Sequence, residues 1–137
     1  MMLSKTNKAY FRVAKEVSEL SDYPRYKIGC IVVCKHHIIS SGYNSNSKTH
    51  PIQSRLDTEY FGVKCPGKIH AESAALIPLI KNKIDLHGAK IYIFRKQKNN
   101  RVALARPCDR CMKLIKMCGI KKLYYTTNNG YAYEKLI

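Results

Sequence analysis

The sequence contains no tryptophan and only three phenylalanines. Of the aromatic rings on which a polynucleotide groove stacks successive bases, it therefore offers chiefly its ten tyrosines. Acidic residues are also scarce, with 9 Asp plus Glu against 25 Lys plus Arg, a net charge of +16 and a pI near 9.7. Such an imbalance suits anionic partners: a nucleotide phosphate, a nucleic acid or an anionic surface. A solvated lysine-rich surface explains it equally well, since net charge bears on association and not on fold or chemistry. No apolar run reaches the length of a membrane span, and residues 1–8 lack a hydrophobic signal core. A cytoplasmic protein with no membrane partner is expected.

Glycine (7) and proline (5) are too few, and the chain too long, for a small disulfide-stapled scaffold. The six cysteines, Cys30, Cys34, Cys65, Cys108, Cys111 and Cys118, are expected as reduced thiols, buried or metal-bound. Cys30, Cys34 and Cys118 read as core residues. There is no internal repeat, low-complexity linker or boundary signal. The 137 residues, 45% hydrophobic, are expected to form one domain around one core.

Apolar residues at Ala9, Tyr10, Val13, Val17 and Leu20 recur at helical spacing, which predicts an amphipathic helix over 4–20, ended by Ser21, Asp22 and Pro24. The continuous β-branched run 28–33 predicts a strand buried on both faces. A turn over 35–37, with His36 and His37 in solvent, leads to a partner strand over 38–42. The polar segment 43–68 is long for a loop in a compact domain and is expected to be functional. Further on, helices are predicted over 71–80, despite Pro78, and over 109–118. Strands are predicted over 89–94 and 120–126. Asn128, Asn129 and Gly130 form a strong turn signal before a fifth strand over 131–136. Too few residues separate the fourth and fifth strands for a parallel crossover, so that pair must be antiparallel. The order implies an α/β fold, a mixed sheet of about five strands with helices on its faces.

Two motifs carry chemistry. His70-Ala71-Glu72 opens one predicted helix, and Pro107-Cys108-Asp109-Arg110-Cys111 opens another. One imidazole and two thiolates suit zinc. Three protein ligands leave a fourth tetrahedral position for water, as in a catalytic site. Helix N-termini favour thiolate over thiol. Glu72, two residues beyond His70, can approach a metal-bound water without ligating and so serve as a proton acceptor.

A lone Cys-x-x-Cys or His-x-Glu is weak, but the two in this order, each opening a helix, form a strong combination. On these residues the chain resembles the cytidine deaminase-like superfamily, and within it the small deoxycytidylate-type zinc deaminases. The resemblance covers about residues 28–126. It implies a three-layer α/β/α sandwich, with Zn2+ held by His70, Cys108 and Cys111 and Glu72 as the proton shuttle. Gly42-Tyr43-Asn44 is similar to the loop in which a family asparagine contacts the sugar, although a turn asparagine is the plainer reading. Substrate contacts are expected from Asn44 and Ala71. Arg25 and Lys27 stand where the family approaches its ligand and are candidates for a phosphate, with surface charge as the alternative. The same alternative holds for Arg106 and Arg110. Cys65, near His50 and His70, could join a second zinc site. The family more often places a helix before the fifth strand, which leaves the substrate branch open.

Three functions are weighed. The first is hydrolytic deamination of cytosine in a free nucleotide or nucleoside. The second is deamination within single-stranded DNA or RNA, with Tyr43, Tyr60 and Phe61 as stacking candidates. The third is a non-catalytic zinc-bearing binding module, for which Glu72 would have no use. A nucleotide substrate and a homo-oligomer are the expected partners.

Overall fold

A computed structural model describes residues 3–45 and 69–137. Among the described residues eight elements follow one another: α1 Lys5–Ser18, β1 Tyr26–Cys34, β2 His37–Tyr43, α2 Ala71–Lys81, β3 Lys90–Gln97, α3 Asp109–Met117, β4 Lys122–Thr127 and β5 Gly130–Lys135. The strands form one mixed sheet in the order β2-β1-β3-β4-β5. Only β3 and β4 are parallel; the other three pairings are antiparallel. The β4–β5 hairpin turns at Asn128-Asn129, and its antiparallel pairing agrees with the argument from connection length. At the opposite edge the two-residue turn Lys35-His36 takes φ of 50° and 67°. Positive φ at both positions matches the twist of a tight hairpin.

Strand alternation divides the core into two layers. Ile31 and Val33 of β1, with Tyr92 and Phe94 of β3, meet Phe11 and Ala14 of α1. Cys30 and Val32, with Ile91 and Ile93, face the opposite way toward α2 and α3, where Ala75, Leu76, Leu79 and Ile115 complete the packing. The result is the expected three-layer α/β/α arrangement. Both central strands are apolar on both faces because both faces are covered. On the α1 side Tyr92 stacks on Tyr124 (centroids 4.6 Å apart, 10° between planes), and its hydroxyl donates to Asn7 Oδ1 at 2.6 Å. Ser4 caps α1 through the Asn7 amide.

Two glycines set how closely the helices approach. A Cβ at Gly29 would overlap α1 backbone at Ala14 and Ser18. A Cβ at Gly42 would overlap α2 backbone at Ala71, Ala74 and Ala75. Gly42 thus lets the first turn of α2 lie directly on β2, and the Ser40 hydroxyl ties the same pair by donating to Ala75 O at 2.6 Å. Several boundaries differ from expectation. Chief among them, β3 continues three residues beyond Phe94, because Arg95, Lys96 and Gln97 pair with Ile28, Lys27 and Tyr26 of β1. Cys30 is fully buried, and Cys34 and Cys118 pack partly buried against the same core. His36 and His37 are exposed. No helix among the described residues is long and apolar enough to cross a membrane.

Candidate active site

The N-termini of α2 and α3 converge at the carboxyl end of the parallel pair β3–β4. An antiparallel bridge between Ser45 and Ile69, closed by two backbone bonds of 3.1 and 3.2 Å, fixes the entry to α2 at the end of β2. The entry to α3 is held along the sheet. Ala103 N donates to Arg95 O at 3.0 Å and Ala105 N to Thr126 O at 2.9 Å, and the chain then passes through buried Pro107 into Cys108. His70 and Cys108 are the N-cap residues of their helices, and neither side chain caps its own helix. Both turn instead to a common point.

There His70 Nδ1 lies 3.5 Å from Cys111 Sγ and 4.0 Å from Cys108 Sγ. The three ligand atoms all fall within 4.8 Å of one another. Tetrahedral zinc bonds of about 2.0–2.3 Å would place N and S roughly 3.5 Å apart and the two sulfurs roughly 3.8 Å apart, so the set fits the ion. Nδ1 would be the ligating nitrogen, since Nε2 faces Arg110 Nη2 at 3.4 Å.

The electrostatics favour a cation. Hydrogen bonding from Cys111, then from His70, holds Cys108 as a thiolate with a pKa of about 3. The same shared proton, together with burial, pushes Cys111 well above the ordinary thiol range. The metal-free site therefore keeps one thiolate and one proton between its sulfurs, and metal binding must expel that proton. The Cys108 thiolate also raises His70. Glu72 is 5% exposed, and burial raises its carboxyl above the usual range.

A cavity of about 200 Å³ opens beside the triad and is lined by His70, Ala71, Glu72 and Cys108. Asn44 lines it too, but its amide is engaged: Oδ1 accepts from Ile28 N at 2.8 Å and Nδ2 donates to Tyr26 O at 3.2 Å. Asn44 thereby joins the end of β2 to the start of β1, with one amide proton left over. Arg25 and Lys27 are not brought to this cavity; they line other depressions beside β1. For Lys27 alternation is the reason. Tyr26 and Ile28 face the cavity, so Lys27 between them faces away, while Arg25 precedes the strand and borders a depression that shares Tyr26 and Arg95 with the cavity wall. Arg106 lines the wall but is held in a two-point pair with Glu134 of β5 (2.7 and 3.1 Å), which also accepts from Tyr125 at 2.7 Å. Sequence reasoning missed Tyr23, Tyr26 and Arg95, all on the cavity wall. For Arg95 a signal existed: Ile91, Ile93 and Arg95 share one strand face, so a cation follows two core residues at period two. Cys65, His50, Tyr60 and Phe61 lie outside the described residues.

The chain matches the family model of the cytidine and deoxycytidylate deaminase zinc-binding region over residues 4–127. It belongs to that family. Among curated relatives, an uncharacterized deaminase of Aliivibrio fischeri is 28% identical over 123 residues, covering 90% of this chain and 74% of the relative. Human deoxycytidylate deaminase is 30% identical over 129 residues, covering 87% of this chain and 63% of the human protein. The chain thus spans under two thirds of the human enzyme. Among solved structures, the dCMP deaminase of cyanophage S-TIM5 in apo form is 27% identical with a TM-score of 0.66, covering 92% of this chain and 86% of the phage protein. Zinc is accordingly the metal that His70, Cys108 and Cys111 of this deaminase-family chain are positioned to hold.

Proposed function

We propose that residues 1–137 form one deaminase domain that hydrolyses the exocyclic amine of cytosine in a free nucleotide, dCMP or CMP, giving the uracil form and ammonia. The observation that carries this reading is the buried Glu72 carboxylate, on the wall of the same cavity as a three-ligand zinc set. A purely structural zinc site has no need of that carboxylate. The phage relative has also been solved with dCMP and dUMP, at 25% identity and a TM-score of 0.66, which supports a nucleotide substrate.

Zinc, when bound, supplies Lewis acidity that lowers the pKa of a coordinated water toward about 7. Glu72 takes a proton from the attacking water and delivers it to the ring nitrogen, then takes the remaining proton from the hydroxyl now on the ring carbon and passes it to the departing amine, which leaves as ammonia as the carbonyl forms. Its raised affinity for a proton suits a group that must both accept and donate. Ala71 and Asn44 line the cavity, where they would border the base and sugar, beside an apolar wall of Ile28, Ile69 and Ala105 that would limit water.

A single-stranded polynucleotide is the competing substrate. The cations of this chain are dispersed from Lys5 to Lys135, which favours a mononucleotide over a tracked groove. The reading further takes the protein as cytoplasmic and homo-oligomeric. Free thiols at all five described cysteines support a reducing compartment, and part-exposed Tyr131 and Tyr133 offer contact surface for a second copy. The test is to incubate zinc-loaded protein with dCMP, CMP, cytidine, deoxycytidine and a cytosine-containing single-stranded oligonucleotide, and to measure ammonia and uracil. Turnover of dCMP or CMP with a shallow salt dependence is expected. Turnover of the oligonucleotide alone, falling steeply with salt, would overturn the reading.

A further inference from the structure

The cavity wall includes a cation that the deamination chemistry does not use. Arg95 stands on the core-facing side of β3, directly opposite Ile28 of β1, where the strand leaves the core. Its guanidinium carbon lies 4.2 Å from the centroid of the Tyr26 ring. Stacking of this kind fixes the plane of the fork. Its Nε is buried and has no hydrogen-bond partner among the described residues, and a buried unpaired donor on a charged group is costly to keep. The other arginine on this wall, Arg106, is already matched to Glu134. Beyond Arg95 the wall continues into a shallower depression of about 260 Å³ that shares Tyr26 and Arg95 and adds Arg25 and Lys98. An oxyanion at the junction of the two depressions would lie beside the shared Arg95, with Arg25 and Lys98 lining the outer one.

We propose that Arg95, held flat on Tyr26, binds the phosphate of the substrate nucleotide and so makes the enzyme select a nucleoside monophosphate over the nucleoside. A guanidinium fork presents parallel donors to two phosphate oxygens, and the idle Nε is one such donor. Arg25, just before β1 on the adjoining depression, then contributes at the far edge of the phosphate and not inside the catalytic cavity. This inference rests on the cytosine-nucleotide reading above.

The test separates the two claims by measuring binding apart from turnover. Zinc-loaded wild-type, Arg95→Gln and Arg95→Lys proteins are titrated calorimetrically with dUMP and with deoxyuridine, and dCMP turnover is followed in parallel. Wild type is expected to bind dUMP more tightly than deoxyuridine. Arg95→Gln should lose roughly 10- to 100-fold in dUMP affinity and keep its deoxyuridine affinity, with the loss in dCMP turnover falling on KM. Arg95→Lys, which keeps the charge but not the fork, should fall between, and it decides the matter should the Gln variant fail to fold. Unchanged dUMP affinity in the variants, or equal losses for dUMP and deoxyuridine, would overturn the assignment. A selective loss of dUMP binding in a protein that deaminates no form of cytosine would keep the phosphate site and remove the deaminase reading.

Discussion

Gly42 connects packing to catalysis, and replacing it with alanine tests that connection. The added Cβ would sit 2.5 Å from Ala71 O and 2.8 Å from Ala74 C, where ordinary contacts begin near 3.4 Å. The obstructing atoms are backbone, so no rotamer change relieves them. α2 must retreat from β2 by about 1 Å, carrying His70 and Glu72 away from Cys108 and Cys111. Overpacking of this kind costs roughly 1–3 kcal/mol. At about 2.1 cal/mol/K per residue, 137 residues give an unfolding entropy near 0.29 kcal/mol/K, so Tm should fall by roughly 3–10 °C. A misplacement of about 1 Å in the site should cost on the order of 10²-fold in kcat/KM, with weaker zinc binding. Thermal unfolding by circular dichroism, zinc titration and dCMP kinetics would read the three effects. Ser41→Ala, exposed on the same strand, serves as the control and should stay within about 0.5 kcal/mol. A Gly42→Ala protein with parental Tm, zinc affinity and turnover would refute the reasoning.

Four further outcomes are expected. In metal-free protein at pH 6, iodoacetamide should modify Cys108 well before Cys30 or Cys118, because the first is a thiolate and burial raises the other two. Zinc should protect Cys108, and equal labelling of Cys118 in a mass-spectrometric map would contradict the thiolate assignment. Because burial raises Glu72, kcat/KM should decline on the acid side through a limb above the usual carboxylate range. For the same group, the stability contribution in metal-free protein is full below its unfolded pKa and lost as pH rises through its folded one. Glu72→Gln should therefore resist urea better than the parent at pH 8 and match it near pH 4; no difference at pH 8 would argue against the burial cost. Glu134→Gln should release Arg106 yet cost less than about 1 kcal/mol, since both side chains are part-exposed and screened. A loss of several kcal/mol in urea unfolding relative to the parent would show that the hairpin depends on this pair.

How much of this was legible in the sequence varies with the kind of signal. Buried elements were plain, because β1 and β3 are covered on both faces and read as unbroken apolar runs. The antiparallel β4–β5 pair followed from the short connection alone. The metal-site residues were legible because their chemistry is local to two short motifs. The cavity wall was not. Its members come from the start of β1 and the end of β3; Arg95 continues the period of Ile91 and Ile93, but its placement opposite Ile28 and beside Tyr26 depends on a register that no local pattern prints. Charge drew attention to Arg25 and Lys27, while alternation turned Tyr26 and Ile28 inward. The end of β3 was hidden for a related reason. Arg95, Lys96 and Gln97 are polar, and they are strand residues because β1 supplies backbone partners. Asn44 was legible as a residue of interest, but its bonds to Tyr26 and Ile28 could be seen only once β1 and β2 were paired.

In the proposed reaction a zinc ion held by His70, Cys108 and Cys111 works together with Glu72 to deaminate cytosine. The most direct measurement compares wild type with Glu72→Ala for zinc content per chain and for uracil formation from dCMP, in the same preparations. One zinc per chain is predicted in both proteins, with turnover lower in the variant by at least 10²–10⁴-fold. Undiminished turnover in Glu72→Ala, or equal turnover by wild-type protein stripped of zinc, would contradict the account.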